Sequence, residues 1–456
     1  MKIKILDCKD KSYEGWMITI GDLYDESYKD KYVFVHMEDL EDDDIFVLPI
    51  NISGFDGILA EYGKNDGNTF LDIIDDSIIK LIKEQNGFII IDRIAEGHIQ
   101  QKNYKGLHDE LKRNNVPPNK IILISSDLNG NVQYDRFCTR NGIENKMYIL
   151  EAAHRLEASS YIYNLITTDS NSAFFNPDSY DKSKMDNIHP YPNSFFSVDE
   201  MFEMKNSLRE KYFLSYNRII REYRLALVAM IYELGLQDKG IISLGAPKIN
   251  KEYGGTWPNI ISDFIEDKKQ NEMVSGALKK IKSLCPIVAD QDILPETVFS
   301  SDGEHISIGD WTNFSHQYKR VYFNVVTESC YYDECIYFSE KIFKPIGQLT
   351  PFILMSTPYS LAKLREIGFK TFDGWIDESY DNEEDNDKRF FMIIEVIKNL
   401  CGTSREELHD WYYSLTDILI HNQKTLRDYQ PLQDTLDMKS PDRIRIWNEI
   451  SEILYG

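Results

Sequence analysis

The sequence predicts an α/β protein built from two parallel-sheet domains. Three observations carry that expectation. From residue 45 onward, short apolar runs alternate with segments of helical spacing, the rhythm of strands joined by crossover helices. Residues 87–92 (GFIIID) and 120–127 (KIILISSD) are nearly unbroken in Ile and Leu, as in strands covered on both faces. Residues 321–326 lead through a polar bend and a helix start to a second apolar run at 351–355. That is the strand, loop, helix, strand order of a parallel pair.

Taken in order, residues 1–50 read as β-rich, with strand-like runs at 17–20 and 32–36. The acidic run Glu41, Asp42, Asp43 and Asp44 reads as a solvated turn rather than a metal site, since nothing around it supplies a ligand cage. Runs at 46–50, 87–92, 120–127 and 146–150 read as strands. Residues 70–82 read as a helix with Leu71, Ile74, Ile78, Ile79 and Ile82 on one face. Ligands of such sheets sit beyond the strand carboxyl ends. Asp92, Glu96, His98, Ser126, Asp127, Glu151 and His154 all fall there. Residues 168–205 are turn-rich at first and lack periodicity, so they read as a linker closing a first domain over 1–205; the second domain is 206–456.

The second domain opens with a strand at 211–216, followed by Asn217, Arg218, Arg221 and Arg224 at the head of a helix over 221–234. Cations at a helix N-terminus oppose the macrodipole unless an anion sits there. Guanidinium groups suit bidentate phosphate contact, so the three arginines read as a diphosphate clamp. A strand at 241–245, turned by Gly245 and Pro247, and a helix over 259–292 come next. Residues 293–318 are less regular, and Asp302, His305 and Asp310 there have no assigned role. Ser339 reads as the N-cap of a helix that begins with Glu340 and Lys341 and contains Pro345. Free N–H groups, one ammonium and one carboxylate suit a ribose diphosphate: Lys341 for the phosphates, Glu340 for the sugar hydroxyls. Lys344, one turn on, reads as structural. A short helix over 361–367 capped by Ser360 and an extended piece at 368–372 follow. The carboxylates of 373–387, among them Asp373, Asp377 and Asp381, read as solvated surface rather than metal ligands. Helices over 389–400, 404–423 and 441–454 close the chain.

The bulk numbers remove other classes. With 51 Lys and Arg against 75 Asp and Glu, the net charge of −24 argues against a broad nucleic-acid or anionic-membrane surface. Cys8, Cys138, Cys285, Cys330, Cys335 and Cys401 are scattered without a Cys-x-x-Cys pair. This speaks against zinc or a disulfide framework and for reduced thiols in a cytoplasm. The first residues are too polar for a secretory leader, and no run of about 18 apolar residues exists to cross a membrane. Walker-type loops, Gly-x-Ser-x-Gly, His-Glu-x-x-His and a strand-linked Gly-x-Gly-x-x-Gly are lacking.

Thr327, Glu328 and Ser329, then Tyr337, Phe338, Ser339, Glu340 and Lys341, then Pro351 and Phe352, resemble the donor-binding signature of the α1,3-fucosyltransferase family. The Ser339 to Ile346 block and the stretch from Gly368 to Asp381 are similar to glycosyltransferase-like proteins of large phages, as is the spacing of Asn217, Arg218, Arg221 and Arg224. The resemblance covers mainly the C-terminal half. It implies two Rossmann-like domains facing across a cleft (the GT-B arrangement), with an acceptor-side first domain and a donor-side second domain. It also implies a nucleotide-sugar co-substrate, with a GDP-sugar favoured, and Glu328 and Ser339 at the donor. Inverting transfer needs a base for the acceptor hydroxyl and positive charge for the leaving diphosphate. Arg218, Arg221, Arg224 and Lys341 supply the charge, so no essential metal or other cofactor is expected. Glu96, on the loop after the strongest strand, is the first choice of base; Asp92 is the second, and His98 and His154 follow. A non-catalytic glycan- or nucleotide-binding protein and a nucleotide-sugar hydrolase are the alternatives.

Overall fold

The computed structural model describes residues 2–6, 29–41, 43–51, 71, 74–93, 101–153, 156, 159–160, 163, 195–217, 221–244, 268–285, 287, 315–332, 335–429 and 441–456. The α/β class and two Rossmann-like parallel sheets expected from the sequence are what the structure has. Two compact units divide the chain. One comprises Met1–Glu157, Asp333–Tyr337 and Gln433–Gly456; the other comprises Ala158–Tyr332 and Phe338–Leu432.

The first unit holds six parallel strands: β1 (Ile3–Leu6), β2 (Tyr32–Val35), β3 (Ile45–Asn51), β4 (Asn86–Arg93), β5 (Ile121–Ser125) and β6 (Tyr148–Glu151). Their order is β2-β1-β3-β4-β5-β6, so the chain reverses direction across the sheet between β1 and β3. Period-two alternation sends side chains to both faces. Phe46, Leu48, Ile89, Ile91, Ile121 and Leu123 pack under helices α1 (Asp76–Glu84), α2 (Gln101–Arg113) and α3 (Gly130–Asn141). Their neighbours Val47, Ile90, Ile122 and Ile124 belong to the opposite core. Full burial of each such side chain contributes roughly 1.5–3 kcal/mol, which is why unbroken Ile runs are tolerated here. Gly87 is required by close approach: a Cβ there would lie 2.5 Å from the Phe46 ring and 2.9 Å from the Ile82 backbone.

The second unit holds four parallel strands: β7 (Phe213–Asn217), β8 (Gly240–Leu244), β9 (Phe323–Thr327) and β10 (Phe352–Met355). Their order is β10-β9-β7-β8, and the reversal falls between β7 and β9. The short α4 (Val198–Glu203) precedes this sheet, and α5 (Glu222–Glu233) connects β7 to β8. From Tyr223 to Ile231 every residue of α5 is buried, Arg224 included. Helix α6 (Lys268–Ile281) occupies the middle of the helical stretch expected over 259–292. Helix α7 (Glu340–Gly347) connects β9 to β10 with Pro345 inside it, and the chain leaves the helix through Gln348 and Leu349, the latter at φ 49°.

Helices α8 (Ser360–Glu366), α9 (Asn386–Gly402), α10 (Arg405–Ser414) and α11 (Thr416–Tyr429) follow. Two expectations are corrected here. Ser360 is the first residue of α8 rather than its cap. Tyr359 stands at the cap position with φ 65°, and the Asp381 carboxylate accepts from the N–H groups of Leu361 (2.8 Å) and Ala362 (3.0 Å). The helix expected over 404–423 is two helices, parted at Leu415; Ser404 and Glu407 form a capping box at the start of the first. The last helix, α12 (Pro441–Tyr455), belongs to the first unit. Its Ile446, Trp447, Ile450 and Leu454 complete the core beneath Ile3, Ile5 and Val47, with Trp447 stacked on Tyr32 at 5.4 Å.

Candidate functional site

In an open parallel sheet, the crevice for a ligand lies past the strand carboxyl ends where the strand order reverses. In the second unit those ends are Asn217 of β7 and Thr327 of β9. A polar lock ties them together. Thr327 Oγ1 donates to Asn217 Oδ1 (2.9 Å), Asn217 Nδ2 donates to Ser215 Oγ (3.0 Å), and Asn217 N donates to Ser243 Oγ of β8 (3.2 Å). Asn217 is thus fully buried and occupied by its neighbours. Arg224 reaches in from α5, and its Nη2 donates to the carbonyls of Thr327 and Glu328, each at 3.0 Å. The Tyr223 hydroxyl donates to the same Glu328 carbonyl. Burial pushes the Arg224 guanidinium pKa down, the nearby Arg221 adds to that, and the fields of Glu328 and Glu340 oppose it. Arg221 stands at the cap position of α5, and its Nε is buried without a hydrogen-bond partner among the described residues.

The loop after β9 returns to its own base. Glu328 is 0% exposed. Its carboxylate accepts from Ser339 Oγ (2.6 Å), Ser339 N (3.2 Å) and Ser329 N (3.1 Å). Burial raises its pKa, more than the field of Lys341 and the Ser339 bond lower it. Ser339 is the N-cap of α7, and its hydroxyl also accepts from Lys341 N (3.3 Å) and Lys341 Nζ (3.1 Å). One hydroxyl thereby uses its single proton and both lone pairs. Lys341 Nζ further donates to Glu340 Oε1 at 3.1 Å. The Lys341 and Glu340 side chains keep 32% and 33% of their surface open. Burial pushes the Glu340 carboxyl up, but Lys341 and Lys344 outweigh it and hold the group at about 2. Glu340 is therefore an ionised acceptor at neutral pH, beside an ammonium and the first N–H groups of a helix.

Of the residues singled out from sequence, the structure brings together Asn217, Arg224, Glu328, Ser339, Glu340 and Lys341, with Arg221 beside Arg224. Asp92 lies in the first unit, buried next to the end of β4 and level with Asn51 and Ile124 on the flanking strands. Glu96, Arg218, His98, His154, Gly245, Pro247, Asp302, His305, Asp310 and most of the expected linker lie outside the described residues.

Asp127, marked in sequence only as a strand-end residue, has a definite task. Its carboxylate accepts from Asn129 N (2.9 Å), Gln133 Nε2 (2.9 Å) and Ile336 N (3.1 Å), while Leu128 N donates to Ile336 O (2.8 Å). Sequence reading missed Tyr223, and it named Thr327 only as part of the signature turn. Apart from Arg224 the run from Tyr223 to Tyr232 is apolar, and that was the available sign that the start of α5 faces inward. Among the described residues, no three His, Cys, Asp or Glu side chains gather as a metal set. No helix among them is long and apolar enough to cross a membrane.

No family model matches the chain, and no curated protein matches it. Among solved structures, it is similar to α,α-trehalose 6-phosphate synthase from Burkholderia multivorans, at 10% identity over 91% of this chain and 73% of that one, TM-score 0.39. It is also similar to a UDP-forming α,α-trehalose-phosphate synthase from Burkholderia vietnamiensis, at 10% identity over 85% and 72%, TM-score 0.35. At these scores the likeness carries no residue correspondence, and a fold alone does not assign an activity.

Proposed function

We propose that the chain is a glycosyltransferase that moves a sugar from a nucleotide-diphosphate donor to an acceptor hydroxyl. The observation that carries the reading is the open Glu340–Lys341 pair at the head of α7, following the strand end where the second sheet reverses order. In this reading Lys341, Arg221 and the first N–H groups of α7 take the diphosphate, and the ionised Glu340 accepts from the ribose hydroxyls. As the glycosidic bond breaks, charge builds on the leaving phosphate, and the fixed ammonium stabilises it without a metal. Asn217 and Arg224 serve from behind by holding the strand ends in place. Glu96 is the base that takes the acceptor proton, with Asp92 second, and transfer inverts the anomeric centre. The resemblance to the fucosyltransferase signature favours a GDP-sugar.

Isothermal titration calorimetry with GDP, UDP and CMP tests the donor half. Binding of a nucleoside diphosphate is expected, with loss in Lys341→Ala. Donor turnover that requires an added sugar acceptor supports transfer. Turnover without one would mean a hydrolase, and binding without turnover a recognition protein. No heat with any of the three nucleotides would remove the donor site.

A further inference from the structure

Glu328 belongs to the block that resembles a donor-binding signature, yet its carboxylate has no open surface to offer a ligand. All of its contacts point into the protein. The carboxylate ties the end of β9 to Ser339, eleven positions further on, through the Oγ and N bonds. Its carbonyl is gripped by Tyr223 and Arg224 of α5. Ser339 then passes the constraint on, because the same hydroxyl holds both the backbone N and the ammonium of Lys341. We propose that Glu328 is a positioning residue, a latch that acts through Ser339 to aim the Lys341 ammonium at the donor diphosphate. This rests on the donor reading above for the ligand, but not for the latch itself.

The latch predicts a specific pattern. A carboxylate in this place accepts from Ser339 Oγ and so leaves both hydroxyl lone pairs to Lys341. An amide NH2 in its place would compete with Lys341 for those lone pairs. Glu328→Gln, which keeps size and burial, should therefore loosen Lys341 while the sheet stays folded. Two measurements on the full chain read this out. In the first, the rate of Lys341 acetylation by acetic anhydride is followed by mass spectrometry without any nucleotide. Severalfold faster labelling in Glu328→Gln is expected, and an unchanged rate overturns the latch. In the second, GDP and UDP affinities are compared with those of guanosine and uridine. A tenfold loss for the diphosphates, with nucleoside affinity within twofold of the wild type, is expected. Equal loss for both, or for neither, overturns the role.

Ser339→Ala should match Glu328→Gln in both measurements, and Ser339→Thr should restore most of the effect. That pair carries the test if Glu328→Gln fails to fold, and failure of Thr to restore what Ala loses counts against the relay. Should the wild type bind no diphosphate while labelling still quickens in the variants, the donor reading falls and the latch stands.

Discussion

Two blocks of the second unit carry similar residues and put them to opposite uses. Around α7, Glu328, Ser339, Glu340 and Lys341 are chained so that one carboxylate is buried and an ion pair is left open. In the block from Gly368 to Asp381, Asp373 and Asp377 stay exposed while Glu378 and Asp381 are consumed by the fold. Glu378 accepts from Thr371 Oγ1 (2.7 Å), Phe372 N (2.6 Å) and Arg365 Nη1 (3.2 Å), and Asp381 caps α8. Acidic density in a sequence therefore does not mark a site; what marks it is whether any carboxylate oxygen remains after the backbone has taken its share. The carboxylates of 373–387, read from sequence as solvated surface, are in part a buried scaffold at Glu378 and Asp381.

The contrast breaks most sharply at Glu378. Glu378→Ala leaves a buried backbone N–H and a hydroxyl without their acceptor, at a cost of about 3 kcal/mol. Urea unfolding should show that loss, while the nucleotide affinity of the folded fraction stays put. Lys341→Ala should do the reverse. Loss of one charged contact to a diphosphate is worth about 1.5–3 kcal/mol, or roughly tenfold to a hundredfold in Kd. Calorimetry should report it, with a melting temperature that falls less than that of Glu378→Ala. Asp381→Asn weakens the cap of α8 by about 1 kcal/mol, visible as a smaller shift of the urea midpoint.

The smallest effect lies in the pH dependence of the two glutamates, which have opposite signs. The Glu340 pKa is held at about 2, against an ordinary value of 4.5. Its ionic partners stabilise the fold above that ordinary value, and the contribution fades as pH falls toward the folded pKa. Glu328 is raised by burial, so its contribution is fullest at acid pH and fades as pH rises through the folded pKa. Urea midpoints of Glu340→Gln should accordingly differ from the wild type more at about pH 6 than at about pH 3. Those of Glu328→Gln, whose amide stands in for the protonated acid, should instead rise relative to the wild type as pH goes from about 4 to about 7. Parallel profiles for the two variants would mean that the two carboxyls share one environment.

Much of this was legible from the chain. Ile-rich runs betray doubly covered strands because both faces need apolar side chains, and β4 and β5 fall where those runs are. The start of α7 was legible because its cap is local: Ser339 bonds a group two residues away. What was not legible depends on distant partners. Asp381 caps a helix twenty positions earlier in sequence, a relation no local pattern encodes. The start of α5 read as a diphosphate clamp of three arginines because charge dominates any local view. In the fold Arg224 is spent on two carbonyls. The amphipathic pattern of α12 announces a buried face without saying which sheet receives it.

That last helix has a consequence for synthesis on the ribosome. The strands of the first unit emerge early, yet Ile3, Ile5 and Val47 wait for Ile446, Trp447 and Ile450 before their face is sealed. Nearly the whole polypeptide must be translated in between, including every strand of the second sheet. The half that is made first is thus the half that finishes last, and its uncovered isoleucines are the surface a nascent chain must shield in the interval.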